Sequence, residues 1–227
     1  MRILIKAWLF FSLLFSEIPN FNLDGCDDCK KDTDQILSLS GLWLSHSPIF
    51  NPRNNSKILI EYDVSTLVKN KKFNNWYYPN FNISAKITKN LSITSKLFGF
   101  SSKSDLPQII GAGFQYYFGE NDTLSSVFSI QRTDLKGIKD FTYSSISLGI
   151  KKWYDYKLYK LRYGLGSVFY KSKINIELKK VNQSIKKQIN FFEIEGLYPF
   201  SVINSGIGLK FNNRLIMFKL VFQKELF

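Results

Sequence analysis

From residue 57 onward the chain repeats with a period of two. Ile58, Ile60, Tyr62 and Val64 alternate with Lys57, Glu61 and Asp63, with Leu59 the one exception. Phe81, Ile83, Ala85 and Ile87 alternate with Asn82, Ser84, Lys86 and Thr88. Ile110, Ala112, Phe114, Tyr116 and Phe118 alternate with Gly111, Gly113, Gln115, Tyr117 and Gly119. Tyr159, Leu161, Tyr163 and Leu165 do the same with Lys160, Arg162, Gly164 and Gly166. Successive side chains of a strand point to opposite faces, so each segment has one apolar face and one polar or glycine face. This pattern excludes a helical body and points to an all-β fold.

Turn residues punctuate the alternation at Lys89-Asn90, Gly119-Glu120-Asn121-Asp122, Asp155 and Asn212-Asn213. The spacing predicts strands over 57–68, 80–88, 91–100, 107–118, 123–132, 140–152, 157–172, 187–196, 200–211 and 214–223. That is about ten, with eight to twelve admissible, and each has roughly the length of a tilted strand that crosses a bilayer. Lys173 to Ile194 reads as a long hairpin turning at Asn182-Gln183, in preference to a basic helix. Gln35 to Ser45 also alternates, with Leu37, Leu39 and Trp43 on one face, and reads as an extended segment ahead of the barrel. No long capped helix is predicted.

The N-terminus carries Arg2 and Lys6, then the apolar run Ala7 to Phe15. A basic start before a short apolar stretch is the layout of a secretory signal peptide, and the run is too short for a membrane helix. Residues 1–16 are therefore assigned to a signal peptide, its end as late as about 25. Residues 17–56 are assigned to an exported linker and pre-barrel segment, and 57–227 to the barrel. Cys26 and Cys29 stand as C-x-x-C, and in an exported chain this spacing most simply makes a local disulfide. Gly25 suits a lipidated Cys26, but Asp24 and the distance from the apolar run do not.

Alternation alone does not say which face meets lipid. Aromatics gather near the strand ends: Trp76, Tyr77 and Tyr78 at one end, and Tyr116, Tyr117, Trp153, Tyr154, Tyr156 and Tyr198 at the other. Two interfacial girdles are the expected placement of amphipathic rings in a membrane barrel. Short turns at one end and longer polar connections at the other fit the same architecture. The face opposite the apolar one holds Glu61, Asp63, Lys86, Lys96, Lys151, Lys160, Arg162 and Lys210, which are assigned to the lumen.

On these features the chain resembles the small bacterial outer-membrane β-barrel proteins over about residues 57 to 227. The resemblance rests on the general pattern, with Phe227 at the chain end as its weakest part, because the apolar face of the last strand is Phe218, Leu220 and Phe222. It implies an antiparallel up-and-down transmembrane barrel in the bacterial outer membrane. Its implied partners are outer-membrane lipid and lipopolysaccharide, and the barrel-assembly machinery during insertion.

The function classes narrow further by chemistry. The net charge of +13 first suggests nucleic acid, but the basic residues are split between strand faces and loops instead of forming one stripe, and export removes the chain from the cytoplasm. The chain has a single histidine, His46, ahead of the barrel and beside Ser47, which is no evidence of a catalytic pair. No metal-binding spacing, phosphate loop or cofactor motif is present, so neither metal nor cofactor is expected and no enzyme is predicted. Lys69, Lys71, Lys72, Lys171, Lys173, Lys179, Lys180, Lys186 and Lys187 fall in outer loops, where they suit phosphate-bearing headgroups. The expected role is structural or surface interaction, or porin-like passage of small solutes, anions included. Two alternatives stand: a secreted lipocalin-like barrel, on Gly41-Leu42-Trp43, and a barrel enzyme acting on membrane lipid. A lumen of about ten strands leaves little room for water, which favours a closed interior.

Overall fold

The computed structural model describes residues 19, 21, 23, 29–51, 54–68, 76–102, 105–119, 124–156, 158–176, 183–200 and 202–227. The proposed signal peptide and Cys26 lie outside these residues. One helix, α1 (Cys29–Leu44), precedes β1 (Ile58–Leu67), β2 (Tyr77–Lys86), β3 (Leu91–Gly99), β4 (Gln108–Phe118) and β5 (Ser126–Lys136). Then follow β6 (Phe141–Asp155), β7 (Lys160–Ile174), β8 (Ser184–Phe200), β9 (Ile203–Phe211) and β10 (Ile216–Leu226). Each strand pairs antiparallel with its neighbours in sequence, and β1 closes on β10 from Ile58↔Leu226 to Leu67↔Met217. The result is a closed barrel of ten strands among the described residues, all antiparallel, with no free sheet edge between first and last strand. Of the hairpin expected over residues 173–194, β8 supplies the second arm, whereas β7 ends at Ile174 and Asn182 of the expected turn lies outside the described residues.

The burial of the faces is inverted relative to a soluble barrel. Ile83, Ile93, Ile110, Phe114, Ile130, Ile146, Ile150, Leu165, Ile207 and Leu209 face outward and are exposed. Glu61, Asp63, Asn82, Gln115, Gln131, Arg162, Glu193 and Lys219 face inward and are buried. A continuous apolar exterior over a polar interior is the arrangement of a barrel whose solvent is lipid. The hairpin order puts 87–90, 119–125, 156–159 and 201–202 at one end, with the start of β1 and the end of β10. Connections 68–76, 100–107, 137–140, 175–183 and 212–215 lie at the other, here called the long-loop end.

The main departure from the sequence expectation is α1, where an extended segment was predicted. Asp32 stands in its first turn, where a negative charge favours the helix dipole. Its last two turns bury Ile36, Leu37, Leu39, Ser40, Gly41, Leu42, Trp43 and Leu44, which are neighbours all around the cylinder. Its partly exposed polar strip runs only along Lys31, Asp34, Gln35 and Ser38, and from Leu39 on the helix is buried all round, so its 3.6-residue signature is short. It runs down inside the barrel, and an α-helix about 10 Å across fills a lumen of this size.

The upper core joins α1 to the inward residues of the long-loop half, among them Leu67, Tyr78, Ile109, Leu135, Phe141, Tyr143, Val168 and Met217. Trp43 is at its centre: its ring packs 5.3 Å from Tyr78, and its indole N–H donates to the Pro79 carbonyl at 2.9 Å. At Gly41 the helix touches the wall, since an added Cβ would lie 2.8 Å from the Tyr143 hydroxyl and 3.0 Å from Ile189. Phe21 stacks on Trp43, and the Leu23 N–H donates to Asp140 at 2.6 Å, so the residues ahead of α1 sit at the long-loop end. A second apolar cluster of Ile49, Phe50, Leu59, Tyr117, Val127 and Trp153 seals the short-turn end.

Candidate functional site: the charged lumen

Between these two apolar clusters lies a layer of buried charge. β8 contributes Glu193 and Glu195, β1 contributes Glu61 and Asp63, and the cations come from Lys96 on β3, Lys151 on β6, Arg162 on β7, Lys210 on β9 and Lys219 on β10. Each stands on the inward parity of its strand. Four carboxylates face five cations, so the layer is close to neutral. Burying an unpaired charge costs several kcal/mol, and pairing with further hydrogen bonds is what makes such a layer tolerable.

The pairs are close. Lys151 Nζ lies 2.5 Å from Glu193 Oε1, and Lys210 Nζ lies 3.5 Å from the other oxygen of the same carboxylate. Lys219 Nζ lies 2.5 Å from Glu195 Oε2, with Arg162 3.1 Å from Oε1. Lys210 also stands 4.5 Å above the Phe191 ring, where the π-face adds attraction.

The same cations hold the polypeptide that descends from α1. The last carbonyls of a helix have no intrahelical donor, and the helix dipole makes that end negative. Lys96 donates to the carbonyls of Leu44 at 2.8 Å and His46 at 2.9 Å. Lys210 donates to the Leu42 carbonyl at 3.3 Å and to Ser45 Oγ at 2.9 Å. Lys151 takes the Ser47 carbonyl at 3.1 Å, and Arg162 takes the Ile49 carbonyl at 3.0 Å. Gln115 donates to Ser47 Oγ at 2.7 Å and to the Pro48 carbonyl, and Tyr117 receives the Phe50 N–H at 3.1 Å. An extended segment cannot satisfy its own carbonyls, so these side chains do what a neighbouring strand would do.

His46 sits at the junction. Lys219 Nζ lies 2.8 Å from His46 Nδ1, and His46 Nε2 lies 2.5 Å from Glu61 Oε1. An ammonium only donates, so Nδ1 accepts and Nε2 carries the proton that Glu61 receives. Glu61 also receives hydrogen bonds from Asn82 at 3.3 Å and from Gln223. His46, Glu61 and Asp63 bring three ligand atoms within 4.8 Å of one another, the spacing of a metal site. The partners argue against that use: a metal on Nε2 puts the ring proton on Nδ1, facing the Lys219 ammonium. The same carboxylates already share the Asn82 amide, and Glu61 also takes that of Gln223. Ser47 points its hydroxyl to Gln115 and not to His46, so the adjacent pair makes no nucleophile–base contact.

Of the residues assigned to the lumen, Glu61, Asp63, Lys96, Lys151, Arg162 and Lys210 lie in this layer. Lys86 and Lys160 are partly exposed near the short-turn end, where Lys86 donates to the Asn54 carbonyl at 2.6 Å. Glu193, Glu195, Lys219 and Gln223 were missed, although their parity against Ile194, Leu220 and Phe222 carries the signal. The aromatic assignments split by the same parity. Tyr116, Tyr154, Tyr156 and Tyr198 face outward at the short-turn end, joined by Phe118, Tyr159 and Phe200. Tyr78, Tyr117 and Trp153 are corrected: they are buried inside, because adjacent residues of one strand cannot share a face. Trp76 and Tyr77 are half-buried. Lys69, Lys71, Lys72, Lys179 and Lys180 lie outside the described residues. Lys171, Lys173 and Lys186 are exposed on strand β7 and β8 surfaces, and Lys187 pairs with Asp34 of α1 at 2.5 Å.

No protein-family model matches the chain, and no curated protein matches it. Solved structures match by shape. The KdgM porin in complex with disordered oligogalacturonate aligns with 74% of this chain and 99% of its own, at 8% identity and a TM-score of 0.41. The translocator domain of the autotransporter NalP from Neisseria meningitidis aligns with 86% and 95%, at 11% identity and 0.39. Neisserial surface protein A aligns with 74% and 97%, at 10% identity and 0.34. What the chain shares with them is the architecture, a closed antiparallel β-barrel, here of ten strands among the described residues. The roles of those proteins are their own at this distance.

Proposed function

We propose that the protein is an outer-membrane barrel closed by its own N-terminal segment, serving as a surface-interaction or structural element and not as a solute pore. The observation that carries this is the occupied lumen: α1 and residues 45–51 run through it, bonded to inward side chains of β3, β4, β6, β7 and β9. The lumen lysines that suggested anion passage are engaged with carbonyls and carboxylates, which leaves them no role as a selectivity ring. The exposed apolar belt supports a membrane location, and a soluble lipocalin-like barrel would present that belt to water. His46 is committed to Lys219 and Glu61, which supports a non-enzymatic reading. A planar bilayer tests the closed lumen. Folded protein is expected to give no steady conductance steps, whereas regular open channels from the unmodified chain would overturn the reading.

A further inference from the structure

The outward surface of β5–β8 changes character toward the long-loop end. Two adjacent rows of paired residues cross it. The lower row is Arg132, Ile146, Phe169 and Gln188, and the upper is Asp134, Ser144, Lys171 and Lys186. Between them lies a groove of about 530 Å³. Its floor is the exposed apolar pair Ile146 and Phe169, and its upper wall is Lys171 and Lys186.

The basic pair is the anomaly. Lys171 and Lys186 stand directly opposite each other across β7 and β8, a like-charge arrangement that costs stability. Among the described residues no carboxylate forms an ion pair with either. The nearby Asp134 instead lies 3.5 Å from Arg132. An anion placed between the two lysines would remove the repulsion.

Depth identifies what kind of anion. Tyr154 and Tyr163 stack on the outer face near the short-turn end, at the level of the aromatic girdle. An apolar band about 25 Å tall, crossed by strands tilted by about 40° with a rise of about 3.3 Å per residue, spans roughly ten residues. Counted along β7 from Tyr163, that reaches Lys173. Lys173 therefore stands at the edge of the band, and Lys171 and Lys186 lie about 5 Å below it, within reach of the headgroups through their four-carbon stems, with Ile146 and Phe169 deeper in the hydrocarbon. Elsewhere this depth favours aromatic rings; here it holds unpaired ammonium groups above an apolar floor.

We propose that this face binds a phosphate-bearing lipid of the leaflet at the long-loop end. Its headgroup phosphate lies between Lys171 and Lys186, with Arg132 at the groove edge, and an acyl chain lies on Ile146 and Phe169. Both lysines gain charge-assisted hydrogen bonds, and the apolar floor gains a chain in place of mixed contacts. The proposal rests on the membrane placement above.

Two measurements separate them. Flotation of refolded protein with phosphatidylcholine vesicles tests the placement alone. Binding of fluorescent phosphatidic acid to the folded protein in neutral detergent tests the site. Lys171→Gln/Lys186→Gln is expected to weaken phosphatidic acid about tenfold, the scale of one lost charge-assisted contact. The control Lys57→Gln/Lys224→Gln, which removes the same charge at the short-turn end, is expected to leave binding within about twofold. Equal losses in both double variants, equal displacement by phosphatidylcholine, or displacement by inorganic phosphate as strong as by the lipid would each overturn the site while leaving the membrane reading intact. Both variants are first checked for heat-modifiable gel mobility, so that loss of folding is not read as loss of binding.

Discussion

Lys219 shows how much a single inward side chain does. It bonds Glu195 from β8 and His46 from the descending segment, so it links wall to wall and wall to plug. Lys219→Met removes both contacts and leaves the imidazole and one carboxylate oxygen buried without their donor. The expected loss is about 3 kcal/mol, read as a lower urea midpoint of the folded gel band. Adding Glu195→Gln should recover part of that loss, since the second change removes the stranded charge. A loss under about 1 kcal/mol in the single variant would mean that Arg162 alone satisfies Glu195. Much of this residue scale was visible in the sequence, because strand parity alone separates Lys96, Lys151, Arg162 and Lys210 from the apolar exterior. Their partners were not visible. Lys96 meets His46, and Arg162 meets Ile49, at separations in the chain that no local pattern encodes.

At the scale of elements, the strands and the helix form an instructive contrast. The strands were legible because two different solvents act on their two faces, which forces alternation on nearly every residue. The helix was hidden because its second half is buried all round, which leaves only a short polar strip along Lys31, Asp34, Gln35 and Ser38. Its Leu37, Leu39 and Trp43 happen to stand at odd positions, which imitates a strand, while Ile36, Leu42 and Leu44 at even positions are equally buried. Trp43 is the test of the helix as a packed element. Trp43→Ala removes the ring that meets Phe21, Tyr78, Phe98 and Phe100, and also the hydrogen bond to Pro79. The expected cost is about 3–5 kcal/mol, measured by equilibrium unfolding in lipid vesicles. Transient conductance should accompany it if the helix is what blocks the lumen. A variant with wild-type stability would show that α1 docks without being held by this ring.

For the whole molecule, the sign of the burial pattern governs behaviour. The chain should partition with outer membranes on fractionation, and its unboiled band should migrate differently from the boiled one. Recovery as a stable monomer without detergent would contradict the exterior described for Ile110, Phe114, Leu165 and Ile207. The net charge of +13 also takes on a different meaning at this scale. In the lumen the cations are nearly balanced by carboxylates, so the excess lies mostly elsewhere on the molecule, part of it at the rim that carries Lys171, Lys173 and Lys186.

The route of the N-terminal segment has a consequence for assembly. Phe21 and Leu23 rest at the long-loop end, α1 descends from there, and the chain leaves at the short-turn end directly into β1. A wall completed first would have to be threaded lengthwise by the segment whose carbonyls serve the wall's buried lysines and arginine. The expected order is the reverse, with the strands gathering around the helix and the seam from Ile58↔Leu226 to Leu67↔Met217 zipping last. In that order the plug is a mandrel on which the barrel is wound.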